Sequence, residues 1–513
     1  MEKLFEIAGV YDEMKIAIIS FQKNTNIIGA KYIHAYLQKN NYESFLILHQ
    51  EAVSETNNAI IDFIHENKIN IIGVSLMSHE FFQVSQFAKK IKSKFQNIPL
   101  IFGGIHATIA PEECLSICDI VIRGEGEHAF LELVQCIEQN RDFNDLPGIC
   151  VKKEGNIILT SPRPLEENLD VFPFPKHLPN NMFVSHNGKI LKMNRDLHRI
   201  YSRYRGTFCS IMTTRGCPFA CSYCCNSAYK KLYNKSSVRK RTVESVISEC
   251  IEEKNQHPNL LTINFQDDCF LANNKEWIYE FSIQYRDKIG IPFIVRTTPR
   301  HVTKEKIGML KDGGLIWVVM GLQSGSERIN KEIYKRNVSN KEFLNATDII
   351  KSFNLYGGFD VILDNPYETE EESLETLKVI LKIPKPFLFQ LYSLCLYQGT
   401  EIHQKAIDDN FNFKDPRVKG YKKLSTTSLN QLIRMVPTYP KWLIKYLANH
   451  RKNKLGKMVI ALCHIFNIVI LEEINALKLL HQSYGSNLLK TLVLIKSFSK
   501  TVMYTFLRRV ENT

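Results

Sequence analysis

Short apolar runs alternate with helix-like segments in the first 140 residues, and this alternation constrains the fold more than any other feature. The apolar runs lie at 15–20, 44–49, 70–76, 99–104 and 119–124. Strands that are separated by helices pair in parallel and are covered on both faces, so each strand is almost wholly apolar. The sequence therefore predicts a doubly wound, Rossmann-like α/β domain over residues 1–140.

The carboxyl ends of these strands form the expected ligand-binding edge, because ligands of doubly wound sheets bind there. Ser75 ends the third run, Gly103 and Gly104 end the fourth, and His106 follows the glycine pair. Glycines allow a bulky ligand to approach the backbone closely. Glycine and serine are also common at strand ends for purely structural reasons, and a lone loop histidine is more often a hydrogen-bonding residue than a ligand.

The rest of the chain divides into three regions. Prolines punctuate residues 141–205, which we interpret as an ordered linker. The alternation returns over 206–400, which predicts a full or partial (β/α) TIM-like barrel. Residues 401–513 are predicted to form a helical C-terminal region, in which 424–513 is rich in Lys and Leu. The strand candidates of the barrel are 208–214, 260–266, 293–298, 315–322, 357–363 and 387–394.

A cluster of cysteines follows the first barrel strand, in the sequence TTRGCPFACSYCCNS (213–227). Cys217, Cys221 and Cys224 have the spacing C-x3-C-x2-C, and three thiolates on one loop can hold three irons of a cubane cluster. The fourth iron then has an open position for a chelating ligand. The alternative is a zinc site, for which Cys225 or Cys209 would have to supply the fourth ligand.

The cysteine loop resembles that of the radical S-adenosylmethionine (SAM) superfamily, and the resemblance extends through 206–400. It implies that Cys217, Cys221 and Cys224 ligate a [4Fe–4S] cluster and that SAM binds the open iron. The segments FQDDCF (265–270) and GLQSGSER (321–328) carry the resemblance further. The SAM contacts that it implies are Tyr223, Asp267, Asp268, Arg296 and Ser324.

Two features of these segments leave the assignments open. Asp267 and Asp268 would suit the SAM ammonium group, but aspartate is equally suited to cap a helix. Gln323 stands where the family has a glutamate, and DVILDNPYET (360–369) has Asp364 and Tyr367 where the family has glycines. No contact is assigned to these three residues.

The order of the regions resembles the cobalamin-binding radical SAM class, which includes class B methyltransferases and anaerobic magnesium-protoporphyrin monomethyl ester cyclase. The matching phrases are IIGVSLMS (71–78), IFGGIHATIAPEE (101–113) and VIRGEGEHAFLEL (121–133). The resemblance implies cobalamin as a cofactor, with Ser75, Gly103, Gly104 and His106 as its contacts. The D-x-H-x-x-G loop is missing, which predicts base-off cobalamin without a histidine ligand from that loop.

The resemblance implies an enzyme that cleaves SAM to a 5′-deoxyadenosyl radical, with cobalamin-mediated methyl transfer to an unactivated carbon. The expected substrate is a small molecule or natural product, and the expected reductant is a flavodoxin or ferredoxin. Two alternatives remain. One is cobalamin-dependent cyclisation or rearrangement without methyl transfer, and the other is a non-catalytic cobalamin or metal sensor.

Charge and composition bear on location and partners. The 513 residues include 66 Lys and Arg against 53 Asp and Glu, a net charge of +13 that suits a membrane surface, an anionic cofactor or a well-solvated surface. Nucleic-acid motifs are missing, so no nucleic acid is expected as a partner.

The apolar stretch 458–471 is too short to span a bilayer, and the N-terminus lacks a signal-peptide pattern, so a cytoplasmic location is expected. The basic segment 432–459 suits peripheral membrane contact, a cap over the barrel or a packed helical appendage.

Overall fold

The computed structural model describes residues 13–49, 54–235, 238–413 and 423–484. They form two compact units, each discontinuous in sequence. The N-terminal unit is drawn from 1–205, 223–235 and 396–420, and the barrel unit from 206–222, 236–395 and 421–513. The two units correspond broadly to the predicted α/β domain and barrel. The segments 223–235 and 396–420 belong to the N-terminal unit, although they follow the start of the barrel in sequence.

Five parallel strands form the centre of the N-terminal unit, in the order β5-β4-β3-β1-β2. This is the doubly wound sheet predicted from the apolar runs, and its central strands are buried along almost their whole length. The strands are β1 (Lys15–Ser20), β2 (Glu43–Leu48), β3 (Ile71–Ser75), β4 (Leu100–Gly103) and β5 (Ile120–Ile122). The helices are α1 (Ile28–Lys39), α2 (Ser54–Glu66), α3 (Phe81–Lys94), α4 (Ile105–Ile109), α5 (Pro111–Cys114) and α6 (Glu127–Glu138).

The segment 141–205, predicted as a linker, extends this sheet at both edges. Strands β6 (Ile149–Lys153) and β7 (Asn156–Leu159) form an antiparallel hairpin beside β5. Strand β8 (Met182–His186) pairs in parallel with β2 and antiparallel with β9 (Lys189–Lys192), and α7 (Arg195–Tyr201) follows. The prolines that suggested a linker lie between these short strands, so the segment is part of the N-terminal unit.

The barrel unit contains six parallel strands in chain order, with β10 and β17 at the edges. The prediction of a full or partial barrel is therefore confirmed in its partial form. Its strands are β10 (Phe208–Ile211), β13 (Thr262–Phe265), β14 (Phe293–Thr297), β15 (Leu315–Gln323), β16 (Tyr356–Leu363) and β17 (Phe387–Ser393), and β11 (Thr214–Arg215) pairs separately with β12 (Arg239–Lys240). Its helices are α9 (Val243–Gln256), α10 (Lys275–Lys288), α11 (Lys304–Gly313), α12 (Asn340–Ser352) and α13 (Glu370–Ile380).

Alternation along the barrel strands separates an apolar layer from a polar interior. Phe265, Val295 and Phe359 belong to the core that the strands share with the surrounding helices. Their neighbours Asn264, Arg296 and Asp360 point to the opposite face, because successive side chains of a strand alternate. The helices thus cover one face of the sheet, and the other face forms the interior of the barrel.

The C-terminal helices pack on the barrel unit. They are α15 (Ser428–Met435), α16 (Lys441–His450), α17 (Lys454–Phe466) and α18 (Glu472–Tyr484), and a π-helical turn (Asn467–Leu471) joins the last two. Leu479 of α18 contacts Ile316 and Trp317 near the start of β15, and the Trp317 indole donates a hydrogen bond to Ser483 over 2.9 Å. Helix α18 therefore covers the amino-terminal end of the strands and not the carboxyl-terminal mouth. The remaining helices, α8 (Cys225–Tyr233) and α14 (Glu401–Asp408), belong to the N-terminal unit.

Helix α17 and its continuation are longer than the apolar stretch on which the sequence prediction rested. The continuous helix runs over Lys454–Leu479, 26 residues, and is long and apolar enough to cross a membrane by length and composition alone. The apolar stretch considered from sequence was 458–471, but the helix starts before it and continues past Glu472.

Candidate active site

The cysteine loop follows the short strand β11, and a buried aspartate holds the residues between β10 and the loop. Oδ1 of Asp267 accepts hydrogen bonds from the backbone N–H and the hydroxyl of both Thr213 and Thr214, over 2.5–2.9 Å. Asp267 is fully buried, and burial raises its pKa to about 6 even though these hydrogen bonds favour the charged form. The side chain thus joins the end of β13 to the start of the loop.

The middle of the loop is anchored by Ser222. Its backbone N–H donates to the Tyr334 carbonyl oxygen over 2.9 Å, and its hydroxyl donates to the Ile333 carbonyl oxygen over 2.6 Å. Cys221, the residue before it, is buried, and Cys217 is half-buried. The loop is therefore held at its start and at its centre by the barrel unit.

The third cysteine ends the loop and begins a helix. Cys224 is the N-cap of α8, and its carbonyl oxygen accepts hydrogen bonds from the Ser227 N–H and hydroxyl. Cys225 is the first residue of α8 and is exposed. Further along, the N–H of Glu125 donates to the Tyr233 hydroxyl over 2.9 Å, which ties α8 to the carboxyl edge of the N-terminal sheet.

Four polar side chains on adjacent strands line the barrel interior with atoms that lack a hydrogen-bond partner. They are Oδ1 of Asn264 on β13, Nε of Arg296 on β14, Oε1 of Gln323 on β15 and Oδ1 of Asp360 on β16. Each of these atoms is buried. Because a buried polar group without a partner is costly, such a set indicates a site that a polar ligand completes.

The charges in this interior set are of both signs. Burial raises the pKa of Asp360 to about 6, although the positive charges of Arg296 and Arg336 lower it in part. Arg336 also donates to the Gly321 carbonyl oxygen over 2.7 Å, which holds it beside β15. The interior therefore offers a guanidinium for a carboxylate and a carboxylate for a cation.

The segment after β15 is ordered by its own hydrogen bonds. Ser324 is buried, and its hydroxyl donates to Glu368 over 2.9 Å and accepts from the N–H of Ser326 over 3.1 Å. Burial raises the pKa of Glu368 to about 7. Gln323, just before it, has a left-handed backbone with φ of 68°. Ser324 thus shapes the turn that places Gln323 at the barrel interior.

The carboxyl edge of the N-terminal sheet has open space above one glycine and close packing around the next. A Cβ on Gly103 would meet nothing within 4 Å, whereas a Cβ on Gly104 would lie 2.9 Å from the Leu76 carbonyl oxygen. Gly104 also has φ of 92°, which disfavours any other residue. Ser75 lies beside Gly104 at the end of β3. This edge thus offers an open backbone surface to a large ligand.

His106 lies under that edge. Its side chain is fully buried, with Nδ1 3.0 Å from the Ser78 hydroxyl and Nε2 3.3 Å from a Glu113 carboxylate oxygen. Nδ1 therefore forms a hydrogen bond with Ser78, whereas Nε2 lies close to Glu113 without forming a hydrogen bond to any described residue. The arrangement suits a residue that positions the loops after β3 and β4.

Comparisons with known proteins match both halves of this architecture. The B12 binding domain family matches residues 14–134, and the Radical SAM superfamily matches residues 211–380. The chain belongs to the cobalamin-binding radical SAM enzymes. It is 27% identical over 414 residues to an uncharacterized methyltransferase of Pyrococcus horikoshii, covering 77% of this chain and 85% of that protein.

Two further likenesses are more distant. The chain is 21% identical over 308 residues to an anaerobic magnesium-protoporphyrin IX monomethyl ester cyclase of Synechocystis, covering 59% of this chain and 57% of that protein. Its fold resembles that of the cobalamin-dependent SAM radical enzyme OxsB with a TM-score of 0.65, 14% identity and coverage of 98% and 80% of the two chains. The sequence-based assignment to this class is confirmed, together with the α/β fold and the cofactors of the class: a [4Fe–4S] cluster, SAM and cobalamin.

The residues of this radical SAM enzyme suit its cofactors. Three cysteines within eight residues suit the thiolates of the cluster, and their assignment as its ligands stays a prediction. Cys209 is a poor fourth ligand for a zinc site on the same loop, because its thiol contacts Glu253 on the helix side of β10, at 3.6 Å. The orphaned interior atoms suit the amino-acid end of SAM. The open backbone at Gly103 suits a bulky corrin.

The structure divides the site residues predicted from sequence into two groups. Arg296 lines the barrel interior and Asp268 is exposed, and their assigned contacts with SAM stay predictions. Asp267, Ser324 and His106 are buried and hydrogen-bonded to protein groups, and their assigned contacts with cofactors stay predictions. The contacts of Tyr223, Ser75, Gly103 and Gly104 also stay predictions.

Sequence reasoning missed Asn264 and Asp360 and assigned no contact to Gln323. Each of these three side chains lies on the interior face of its strand. The apolar residues beside each one face the core, so the alternation of side chains along a strand would have indicated this position. A polar residue between apolar neighbours in β13 and in β16 was the sequence signal that could have identified Asn264 and Asp360.

Proposed function

We propose that this chain is a cobalamin-dependent radical SAM methyltransferase that acts on an unactivated carbon of a small molecule or natural product. The observation that carries the proposal is the joint presence of a cobalamin-type sheet edge, a three-cysteine loop and a polar barrel interior in one chain. The similarity to a methyltransferase over 85% of that protein's length supports methyl transfer as the reaction. We place the enzyme in the cytoplasm, where thiols stay reduced, with a flavodoxin or ferredoxin as its electron donor.

The cofactors supply the difficult chemistry: reductive cleavage of SAM to a 5′-deoxyadenosyl radical at the cluster, and transfer of a methyl group by cobalamin. The protein's part is to bind, orient and shield. Cys217, Cys221 and Cys224 would hold the cluster. Asp267 and Ser222 fix the loop that presents these thiolates.

The barrel interior would hold the amino-acid end of SAM. Arg296 would bind its carboxylate, and Asp360 would balance a positive charge, which is consistent with their opposite signs and buried, partnerless atoms. Asn264 and Gln323 would complete the polar lining. Asp268, which is exposed after the end of β13, remains a candidate for the ammonium group.

A second candidate is cobalamin-dependent cyclisation or rearrangement without methyl transfer. It is favoured by the similarity to the Synechocystis cyclase. The two candidates share every residue assigned above and differ only in the product, whose mass increases by one CH2 unit in methylation.

The test is an anaerobic assay of purified, reconstituted enzyme with SAM and a strong reductant. Wild type is expected to release 5′-deoxyadenosine and to show the absorbance of bound cobalamin. Cys221→Ala should lose the cluster absorbance and release no 5′-deoxyadenosine, because only two thiolates remain on the loop.

Cys225→Ala is the matched control, since it removes the neighbouring exposed thiol and should keep both signals. Equal loss in the two variants, or wild-type protein that holds zinc and releases no 5′-deoxyadenosine, would contradict the proposal. Cluster and 5′-deoxyadenosine without any cobalamin would reject its cobalamin-dependent part.

A further inference from the structure

The continuous helix formed by α17, the π-helical turn and α18 exposes a row of large apolar side chains. Their spacing of mostly three or four residues places them on one side of the helix. We name this row the apolar stripe. Its members, each 40–66% exposed, are Leu455, Met458, Leu462, Ile465, Phe466, Val469, Ile470 and Ile474.

The other side of the same helix packs on the barrel unit. Ile460 belongs to the main barrel core, and Leu479 contacts Ile316 and Trp317. Between them the buried Asn467 donates a hydrogen bond to Glu472 over 2.8 Å and accepts one from Thr438. The helix is thus attached along its length, so in the folded protein it would lie along a bilayer and not cross it.

The outward side of this helix is unusually apolar for a surface. Among the described residues, 17% of its most apolar 18-residue stretch is buried. Contiguous exposed apolar surface of this kind marks an interaction site, because single exposed apolar residues are common but continuous rows are not.

Positive charge flanks the amino-terminal part of the stripe, whereas Glu472 and Glu473 lie near its carboxyl-terminal end. Residues 441–471 contain six Lys and Arg residues and no Asp or Glu. Lys445, Lys454 and Lys457 are exposed and form no ion pair within the described residues. The six basic residues are Lys441, Lys445, Arg451, Lys452, Lys454 and Lys457.

Two amphipathic aromatic residues lie on the neighbouring helix α16, which contacts α17. Trp442 is 69% exposed and Tyr446 is 57% exposed. Tryptophan and tyrosine favour the level of the lipid headgroups, where one end of the ring system is apolar and the other is hydrated.

We propose that the apolar stripe and the basic residues beside it dock this enzyme on an anionic lipid bilayer, with α17 in the plane of the interface. Apolar side chains would enter the boundary of the acyl chains, while the lysines contact anionic headgroups. A second copy of the chain fits the surface less well, because two such faces would bring like charges together. This inference is independent of the proposed reaction.

The test is co-sedimentation of the full-length holoenzyme with vesicles under anaerobic conditions. One set of vesicles contains equal parts of phosphatidylglycerol and phosphatidylcholine, and the other contains phosphatidylcholine alone. Wild type should sediment with the anionic vesicles, less so at high salt, and its tryptophan emission should shift to the blue, a shift that Trp442→Phe should lack. The double variant Leu462→Glu with Ile465→Glu should lower the bound fraction about tenfold or more.

Two further variants keep the result interpretable. Ile200→Glu changes a residue of similar exposure (64%) on α7 and should bind vesicles like wild type. Lys454→Glu with Lys457→Glu should remove the preference for anionic vesicles. All variants should show the circular dichroism spectrum and the thermal unfolding midpoint of wild type, which establishes that they fold.

Several outcomes would overturn the inference. They are no sedimentation of wild type, equal binding by wild type and the Leu462→Glu, Ile465→Glu variant, and an equal loss in the Ile200→Glu control. A lipid-free dimer that the stripe variant dissociates would assign the face to a second copy instead. Protection of Trp442 from acrylamide without lipid would mean that the chain itself covers the face.

Discussion

Oδ1 of Asp267 accepts a hydrogen bond from the backbone N–H of Thr213 over 2.9 Å, and this contact links the second barrel strand to the start of the cysteine loop. The Thr213 hydroxyl and both donors of Thr214 reach the same oxygen. One buried carboxylate oxygen therefore organises the point from which the loop with the three cysteines extends.

Asp267→Ala should weaken the fold and the cluster together. It leaves four donors without their acceptor in a buried place, which should cost about 3 kcal/mol in the free energy of unfolding. Iron content and cluster absorbance after reconstitution should fall with it. Asp267→Asn keeps an oxygen acceptor and should retain most of both, as denaturant unfolding and iron analysis would measure.

The neighbouring carboxylate provides the control. Asp268 is exposed, so Asp268→Ala should leave stability and iron content close to those of wild type. If Asp268 contacts the SAM ammonium group, its loss weakens SAM binding only. Equal effects of the two alanine substitutions on iron content would contradict the structural role of Asp267.

Much of this architecture could be predicted from the sequence because two physical patterns were strong. Apolar runs separated by amphipathic helices determine a parallel sheet, and the predicted strands match those observed to within a few residues. The three cysteines could be singled out as candidate ligands because a metal cluster requires particular ligands at close spacing, and their role stays a prediction.

Other features were hidden because they depend on contacts distant in sequence. Asp267 is next to Asp268, and nothing in the pair indicates that one faces two threonines 53 and 54 positions away while the other faces solvent. The prolines of 141–205 concealed two hairpins, whose pairing partners β5 and β2 are remote in sequence. His106 resembled a ligand because its partners Ser78 and Glu113 become neighbours only in the fold.

Asp360 should give SAM binding a pH dependence. Burial raises its pKa to about 6, so the carboxylate forms as the pH rises through that value. If the ionised group balances a positive charge of SAM, affinity should increase about tenfold between pH 5 and pH 7, or about 1.4 kcal/mol. Equilibrium dialysis of labelled SAM should show this rise in wild type and a flat profile in Asp360→Asn. A rise of equal size in the variant would remove Asp360 from the SAM site.

His106 should influence cobalamin through the protein and not as a ligand to cobalt. His106→Ala removes the partner of Ser78 and Glu113 and should lower the free energy of unfolding by about 2 kcal/mol. The electron paramagnetic resonance spectrum of bound cob(II)alamin should nevertheless be that of the base-off form in both proteins, without nitrogen splitting. Nitrogen splitting in wild type that disappears in His106→Ala would instead establish ligation.

Substitutions at Gly103 should affect cobalamin binding without affecting folding. A Cβ at this position meets nothing within 4 Å, so Gly103→Ala should change the free energy of unfolding by less than about 0.5 kcal/mol. Gly103→Leu should also fold, but its side chain would occupy the space assigned to the corrin and reduce retained cobalamin, measured by absorbance after gel filtration. Gly104→Ala is the contrasting variant, since its φ of 92° and the Leu76 carbonyl oxygen should make it costly to the fold, by about 1–3 kcal/mol. Full cobalamin retention by Gly103→Leu would place the cofactor elsewhere on the sheet edge.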